Sequence, residues 1–330
     1  MESKTQMQVC VLGAGGIGSS IAAYFSRAGH NVTLVYKNEE EAAAVRKKGL
    51  SLAGIQNFNV RLNVSVWPER IPDCDLLVIA VKTYDTKEAL QAAKGATAGL
   101  ILSAQNGVQK EKVIASVLGR DSLVGAVIEI SGLNGGNGQI FHPHLEPSHI
   151  GELDGSISPR VRSIAHAFTE AGMPARATTR ILDTEWTKTC QWAATSVMSV
   201  MTGYCYPRIF LAKWLNPLFV EIVRDCAKVA EADGAQIIEA PSLFVRRLLV
   251  KNQSEACAWL QRKGRAMAAK WKDYRASMLL DIERGSRTEF PDIVGYVRET
   301  AQRYDVQTPA LDFAIRQVSR YLNEAQHAGA

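Results

Sequence analysis

The sequence predicts an α/β protein in which a parallel sheet flanked by helices is followed by an all-α C-terminal domain. Short apolar runs of strand length alternate with polar helical stretches in the first half of the chain. A glycine-rich turn joins the first run to the first helix. Strand signals stop after residue 182, so we expect two domains, 1–181 and 182–330.

The elements of the first domain follow from apolar runs and helix stops. The first helix is expected over 17–28 and the second over 39–48, because a glycine just past the last helical residue commonly ends a helix. A further helix is expected over 157–171. The predicted strands are 9–12, 32–36, 76–81, 100–103 and 123–128, with a short strand or hairpin over 141–147 and an edge strand over 175–179.

The second domain carries helical patterns only. Amphipathic spacing predicts helices over 184–201, 217–233 and 241–251, and again from residue 300 onward. The stretch 254–275 is expected to be helical with one break. The apolar surface of the second domain as a whole is compatible with a homodimer as well as with internal packing.

Composition limits the partners. The net charge is +5, from 38 basic and 33 acidic residues, which is too small an excess to indicate nucleic-acid binding. No apolar stretch approaches the ~20 residues of a membrane span, and the polar start lacks the apolar segment of a signal peptide. Six scattered cysteines without a CxxC pair are typical of reduced thiols in a cytoplasmic protein. We therefore expect a small-molecule partner.

The glycine-rich turn has the dinucleotide-binding pattern GxGxxG, which a lone glycine turn could also produce. It reads Gly13-Ala14-Gly15-Gly16-Ile17-Gly18 and lies between an apolar strand and an apolar helix, as a Rossmann-type fingerprint requires. The glycines permit a tight turn, close approach to a pyrophosphate and helix–strand packing, while the helix start offers N–H groups to the phosphates.

The end of the second strand indicates which nicotinamide cofactor is used. An NAD site usually places an acidic residue there for the ribose hydroxyls, but this strand ends in Tyr36-Lys37. Lys37 is available to pair with a 2′-phosphate, which predicts NADPH, although a solvated surface lysine would look the same. The acidic run 39–41 would oppose a phosphate if it faced it, and at a helix start it complements the helix dipole.

Further motifs along the chain resemble the ketopantoate reductase (2-dehydropantoate 2-reductase) family. The resemblance extends over essentially the whole chain and preserves motif order and spacing. The motifs are the glycine turn, Ala80-Val81-Lys82-Thr83, Gln105-Asn106-Gly107, Glu185-Trp186-Thr187-Lys188, Ser277-Met278-Leu279-x-Asp281 and Arg287-Thr288-Glu289.

The resemblance implies NADPH-dependent reduction of a 2-oxo acid to a 2-hydroxy acid, the reaction of pantothenate biosynthesis. Lys188 would be the general acid, and Glu289 would be both a catalytic residue, holding that lysine and the reacting oxygen in place, and a cofactor-binding residue. Ser277 would hydrogen-bond the substrate. Asn106 would contact the nicotinamide ribose or the substrate, and Lys82 would lie at the carboxyl edge of the sheet with the cofactor. Catalysis is expected in the cleft between the domains.

The residues themselves leave other roles open. Without the resemblance, Lys188 reads as a surface lysine and Glu289 as a helix-start or exposed carboxylate. Ser277 could be a helix N-cap, which is a frequent serine role. Lys82 could be an ordinary loop residue. Asn106 could be part of a simple turn, since Asn-Gly favours turns.

Several positions depart from the family pattern. Where the family repeats asparagines after the catalytic lysine, this chain has Trp192 and Ser196, which share the Lys188 face of the helix. Tyr206, Phe210 and Val294 replace further asparagines. Trp192 and Ser196 are thus candidate substrate contacts in a pocket with fewer amide donors and more aromatic surface, unless the aromatic residues belong to the core.

These departures leave three functions open. The first is the family reaction on ketopantoate or on a bulkier 2-oxo acid. The second is an imine or opine-type reductase that joins an amine to a 2-oxo acid. The third is an NADP-binding protein without turnover, against which the joint presence of Lys188, Ser277 and Glu289 argues.

Overall fold

Alternating apolar strands and helices build the first of two compact units, residues 1–182 and 183–330, in the computed structural model. The structure describes residues 6–271 and 273–328. The first unit contains β1 (Gln8–Leu12), α1 (Gly16–Arg27), β2 (Asn31–Tyr36), α2 (Glu39–Lys48), β3 (Leu50–Gly54), β4 (Phe58–Val60), β5 (Asn63–Val66), β6 (Cys74–Ile79), α3 (Thr86–Ala89), β7 (Ala98–Ser103), α4 (Lys110–Leu118), β8 (Leu123–Val127), β9 (Ile130–Asn134), β10 (Gln139–Leu145), β11 (Ser148–Gly151), α5 (Pro159–Glu170) and β12 (Ala175–Ala177).

The large sheet has the strand order β12-β11-β8-β7-β6-β1-β2-β5. Strands β5, β2, β1, β6, β7 and β8 pair in parallel, and β11 joins β8 antiparallel. The chain leaves β1 between β2 and β6, so strand order reverses there. In doubly wound sheets, ligands bind outside the carboxyl ends of the strands at such a point.

Two apolar clusters cover the faces of this sheet. One lies on the side of α1 and α5, where Phe25 and Phe168 meet edge to face with ring centroids 5.0 Å apart. The other includes Ile79, Leu90 and Ile114 on the side of α3 and α4. Burial on both faces explains why the central strands read as unbroken Val/Ile/Leu runs.

A second sheet of order β4-β3-β10-β9 is absent from the sequence prediction, apart from the expected hairpin near residue 141. Its strands β3 and β4 have only five and three residues, and their side chains alternate poorly between apolar and polar. Such short strands give little periodic signal. The sheet packs against α1, where the Tyr24 ring meets Phe58 and His142 edge to face.

The second unit contains helices joined by loops and no strand among its described residues, as predicted. A π-helical turn, Pro291–Gly295, leads into one of its helices. The helices are α6 (Ile181–Thr202), which begins at the unit boundary, α7 (Tyr206–Leu211), α8 (Asn216–Ala232), α9 (Val245–Leu249), α10 (Gln253–Lys270), α11 (Ser277–Glu283), α12 (Tyr296–Arg303) and α13 (Pro309–Ala328).

Two helix predictions in this unit are wrong in extent. The helix expected over 241–251 is reduced to α9, because Gln191 binds the Ser242 carbonyl and the Phe244 N–H that a helix would use. The helix expected from residue 300 is split in two, since Asp305 has a φ of 52° and Pro309 starts α13. No helix among residues 6–271 and 273–328 is both long and apolar enough to cross a bilayer.

Candidate functional site

Two glycines of the GxGxxG turn are required by the fold itself. Gly13 has a φ of 115°, and a Cβ there would lie 2.5 Å from the Val81 nitrogen. A Cβ on Gly18 would lie 2.0 Å from the Gly13 carbonyl oxygen and 2.9 Å from the Ala80 Cβ. These positions allow α1 to pack closely against β1 and β6, as the sequence predicts.

Gly15 differs from its neighbours because the space beside it is open. A Cβ on Gly15 would meet no protein atom within 4 Å. Gly15 is the N-cap of α1, has extended backbone and offers no side-chain cap, and the first turn of α1 carries no acidic residue. Helix N-terminal N–H groups without a side-chain cap favour an anion. Ala14 and Ile17 are partly buried against the core below this opening.

Gly16 lies in close backbone contact with the second sheet, and the sequence analysis did not predict this contact. A Cβ on Gly16 would lie 1.8 Å from the Gly132 carbonyl oxygen, and one on Gly132 would lie 2.2 Å from that of Gly16. The adjoining Ser131 carbonyl is 2.6 Å from the Nδ1 atom of buried His142. The available signal in the sequence was a second glycine-rich segment, 132–138.

Lys37 follows β2 at the same edge of the sheet, and its ammonium donates to Asp85 Oδ1 at 3.1 Å. Asn38 caps α2 by accepting from the N–H groups of Glu40 and Glu41. Glu39 pairs with Arg46. The acidic run therefore starts a capped helix, as predicted.

Lys82 and Asn106 follow neighbouring parallel strands, β6 and β7, so both lie at the carboxyl edge with the glycine turn. Both are half-buried. Buried Gln105 fixes the two connections, because its Nε2 donates to the Val81 carbonyl at 2.8 Å and to Thr86 Oγ1 at 2.7 Å. The edge thus brings together Gly13 to Gly18, Lys37, Lys82 and Asn106.

A buried carboxylate at the same edge was missed. Glu129 follows β8, is only 7% exposed, and has one oxygen 3.9 Å from His144 Nε2. Burying a carboxylate is costly unless it is paired or hydrogen-bonded. An acidic residue inside the apolar run 123–130 was the available signal.

In the second unit, α6 carries Lys188 on a helix that is tied down beside it. Asp183 accepts the Gln236 N–H at 2.7 Å, and Thr187 accepts the Ile238 N–H at 3.1 Å. Gln191 accepts the Phe244 N–H at 2.9 Å. These side chains recur every four residues, so one helix face is fastened to segment 236–244. Lys188 itself is half-buried rather than fully exposed.

The predicted substrate contacts on α6 are both buried. Trp192 is 8% exposed and Ser196 is 0% exposed. The Tyr206 side chain hydrogen-bonds Thr195, and burial raises the pKa of the Tyr206 hydroxyl. Phe210 meets Phe219 and Phe244 edge to face at 5.3 and 5.7 Å, in the core of this unit. The core alternative stated for the aromatic residues thus holds for Phe210, and Val294 is fully buried as well, at 0% exposed.

The structure removes two alternative roles. Ser277 is the first residue of α11 and its N-cap is Ala276, so the N-cap role is wrong. Glu289 is only 6% exposed, so it is not an exposed carboxylate, although it does lie at a helix start, just before the π-helical turn.

Comparison with known proteins covers both units. The family model described as "Ketopantoate reductase PanE/ApbA" matches residues 9–155, and "Ketopantoate reductase PanE/ApbA C terminal" matches residues 180–321. The 2-dehydropantoate 2-reductase of Archaeoglobus fulgidus is 28% identical over 305 residues, covering 91% of this chain and 92% of that protein.

Solved structures agree on the fold. A ketopantoate reductase from Ralstonia eutropha JMP134 has a TM-score of 0.82 at 24% identity, covering 97% of this chain and 100% of that one. D-mandelate dehydrogenase with NADH and anilino(oxo)acetate also has a TM-score of 0.82, at 18% identity, covering 97% and 99%. At these identities the likeness shows the fold alone. The two family matches together span most of the chain, and the protein therefore belongs to the ketopantoate reductase family.

Proposed function

We propose that this protein reduces a 2-oxo acid to a 2-hydroxy acid with NADPH. The observation that carries the proposal is the glycine turn at the switch point of the sheet, with open space at Gly15 and the uncapped start of α1. Family membership supports an oxidoreductase acting on a CH–OH group. Relatives named 2-dehydropantoate 2-reductase support the 2-oxo acid.

The residues at the turn fit a nicotinamide dinucleotide. A pyrophosphate beside Gly15 would accept N–H groups at the start of α1 without displacing any side chain. Lys37 would pair with the 2′-phosphate, which supports NADPH. Lys82 and Asn106, at the ends of β6 and β7, would contact the rest of the cofactor. When bound, the nicotinamide supplies the hydride that adds to the ketone carbon.

Lys188 would donate the proton that the ketone oxygen gains. An ammonium also stabilises the negative charge that develops on that oxygen, and this effect grows where water is excluded. Half-burial of Lys188 on a helix that is tied to segment 236–244 through neighbouring side chains supports this role, because a general acid must be held within hydrogen-bond reach of its target.

Glu289 and Ser277 would orient the reacting groups. A buried carboxylate such as Glu289 can pair with an ammonium and hold it in place. Ser277, free of any capping role, can donate its hydroxyl to the substrate carboxylate. Asn106 would hydrogen-bond the nicotinamide ribose or the substrate.

A bulkier, aromatic 2-oxo acid is a second candidate substrate, and it is favoured by one part of α6. Trp192 replaces an amide one turn beyond Lys188, and Thr195, which holds Tyr206, follows Lys188 by two turns on the same face, about 10 Å along the helix. Ser196 adds a single buried hydroxyl. Aromatic surface favours an aromatic substituent.

A panel of 2-oxo acids tests the proposal. Ketopantoate, branched 2-oxo acids and phenyl-substituted 2-oxo acids are assayed with NADPH and NADH, and kcat/KM values are compared. A preference for ketopantoate supports the pantothenate pathway, and a preference for phenyl-substituted acids supports the second candidate. Turnover that requires an added amine indicates an imine reductase. Tight NADPH binding without oxidation across the panel contradicts the proposal.

A further inference from the structure

We propose that Asp85 sets the selectivity of the nucleotide site between NADPH and NADH through its ion pair with Lys37. The inference rests on the proposed nicotinamide cofactor but not on the identity of the 2-oxo acid. Under this proposal, Asp85 supplies the carboxylate for a ribose hydroxyl at a site that has no acidic residue at the end of β2.

The pair joins the two strands on either side of β1. Lys37 follows β2, and Asp85 lies in the short 3-10 turn Thr83–Asp85 that follows β6. These strands flank β1 in the sheet. Their side chains, 48 residues apart in sequence, meet at 3.1 Å. The contact therefore lies at the carboxyl edge, across the strand that leads into the glycine turn.

Asp85 is the fixed member of the pair. Its N–H donates to the Lys82 carbonyl at 3.0 Å, and the next residue, Thr86, is held by the Thr83 carbonyl and by Gln105. The side chain of Asp85 is 26% exposed, whereas that of Lys37 is 65% exposed. The flexible lysine is thus drawn to a carboxylate that the connection after β6 holds in place.

The start of α2 offers a phosphate little help at this position. The N–H groups of Glu40 and Glu41 already donate to the Asn38 side chain. Three carboxylates occupy the first turn of this helix. A 2′-phosphate would therefore depend on Lys37, and Asp85 both neutralises that cation and repels the phosphate.

A ribose with a free 2′-hydroxyl would experience the opposite effect. NAD sites bind that hydroxyl through a carboxylate at the end of the second strand. This chain has Lys37 at that place, but Asp85 brings a carboxylate to the same edge from the neighbouring segment. A phosphate monoester carries nearly two negative charges at neutral pH. A nearby carboxylate therefore weakens binding of the 2′-phosphorylated nucleotide relative to the one with a free 2′-hydroxyl.

The test replaces Asp85 with the isosteric amide and measures binding without turnover. Isothermal titration with 2′,5′-ADP, ADP, NADPH and NADH gives the dissociation constants at fixed ionic strength. We expect Asp85→Asn to tighten 2′,5′-ADP and NADPH by roughly five- to tenfold, as for loss of one nearby charge. We expect it to weaken ADP and NADH by about twofold. Raising the salt concentration should shrink the gain.

Two further variants isolate the pair. Glu88→Gln removes an equal charge from an exposed position of α3, three residues beyond Asp85, and should leave the NADPH to NADH ratio unchanged. In a Lys37→Gln background, Asp85→Asn should give a smaller gain for 2′,5′-ADP, because Lys37 is no longer there to be released.

The outcomes separate this inference from the proposed function. Equal changes for all four nucleotides in Asp85→Asn, or no change in any, overturn the role of Asp85 while leaving the enzyme assignment intact. A wild-type protein that binds none of the four nucleotides overturns both. Selective tightening of the 2′-phosphorylated pair supports the inference even when no 2-oxo acid in the panel is turned over.

Discussion

The two units of this protein would carry function by different means. In the first unit the candidate site is largely backbone: a glycine turn, a helix start and the ends of parallel strands. In the second unit it consists of side chains on helices, such as Lys188 on α6. That helix is held in place by hydrogen bonds to a segment distant in sequence. Backbone sites leave a local sequence signature, whereas helix-borne side chains do not.

The largest expected effect lies in the helical unit. Lys188→Ala should lower kcat by about 10²- to 10⁴-fold, because it removes the proposed proton donor and its charge. Nucleotide dissociation constants should stay within about twofold, since all of the proposed cofactor residues except Glu289 belong to the first unit and Lys188 is not among them. Steady-state kinetics and titration calorimetry measure the two effects separately.

Lys213→Ala is the matched control, because Lys213 is an exposed lysine just after α7 in the same unit. It should leave kcat unchanged. Full turnover by Lys188→Ala would contradict the proposed mechanism, because another group would then have to donate the proton.

The glycine turn gives the next largest effect. Gly15→Ala should keep the melting temperature, since the added methyl meets no atom within 4 Å, yet weaken NADPH by at least tenfold because it occupies the approach to the pyrophosphate. Gly18→Ala should lower the free energy of unfolding by about 1–3 kcal/mol or more, because its Cβ would lie 2.0 Å from a carbonyl oxygen.

Differential scanning fluorimetry with and without NADPH separates the two glycine variants. Gly15→Ala should melt like the wild type but gain little from the nucleotide. A Gly15→Ala protein that binds NADPH with wild-type affinity would place the pyrophosphate elsewhere.

The same contrast decides what could be predicted from the sequence. The strands around the glycine turn were predictable because burial on both faces makes them apolar throughout. Asp85 and Gly132 were not, because each acts on a residue far away in sequence, Lys37 and Gly16. A single sequence carries no record of such pairings.

In the helical unit, most helices were predictable but the candidate site was not. Lys188 was identified by resemblance alone, and its half-burial and the face fastened to segment 236–244 emerge only from the structure. The contacts of Gln191 also explain why α9 is shorter than its amphipathic pattern indicates. Side chains that bind a backbone segment some 50 residues away leave no local periodicity.

A smaller effect is expected where the second sheet meets the turn. Gly132→Ala would press a methyl against the Gly16 carbonyl, so we expect a loss of about 1–3 kcal/mol of stability together with weaker NADPH binding. Gly135→Ala, in the same hairpin, is the control, because its Cβ would have a nearest neighbour at 3.3 Å. Chemical denaturation and NADPH titration report the two effects. Equal behaviour of both variants would mean that the Gly16 contact is unimportant.

The smallest expected effect is the pH dependence contributed by His142, behind that contact. Burial lowers its pKa below 6.5, and nearby His144 adds to this, while the hydrogen bond to the Ser131 carbonyl opposes it. The folded protein therefore binds a proton at His142 less readily than the unfolded chain, so this contribution to stability is present above pH 6.5 and is lost as the pH falls below it. The slope cannot exceed about 1.4 kcal/mol per pH unit. Urea denaturation is measured from about pH 7.5 to about pH 5, which roughly spans that window. The free energy of unfolding should depend less on pH in His142→Gln than in the exposed control His166→Gln. Identical slopes in the two variants would show that the second sheet senses pH through another group, and that its support of the glycine turn does not depend on a neutral His142.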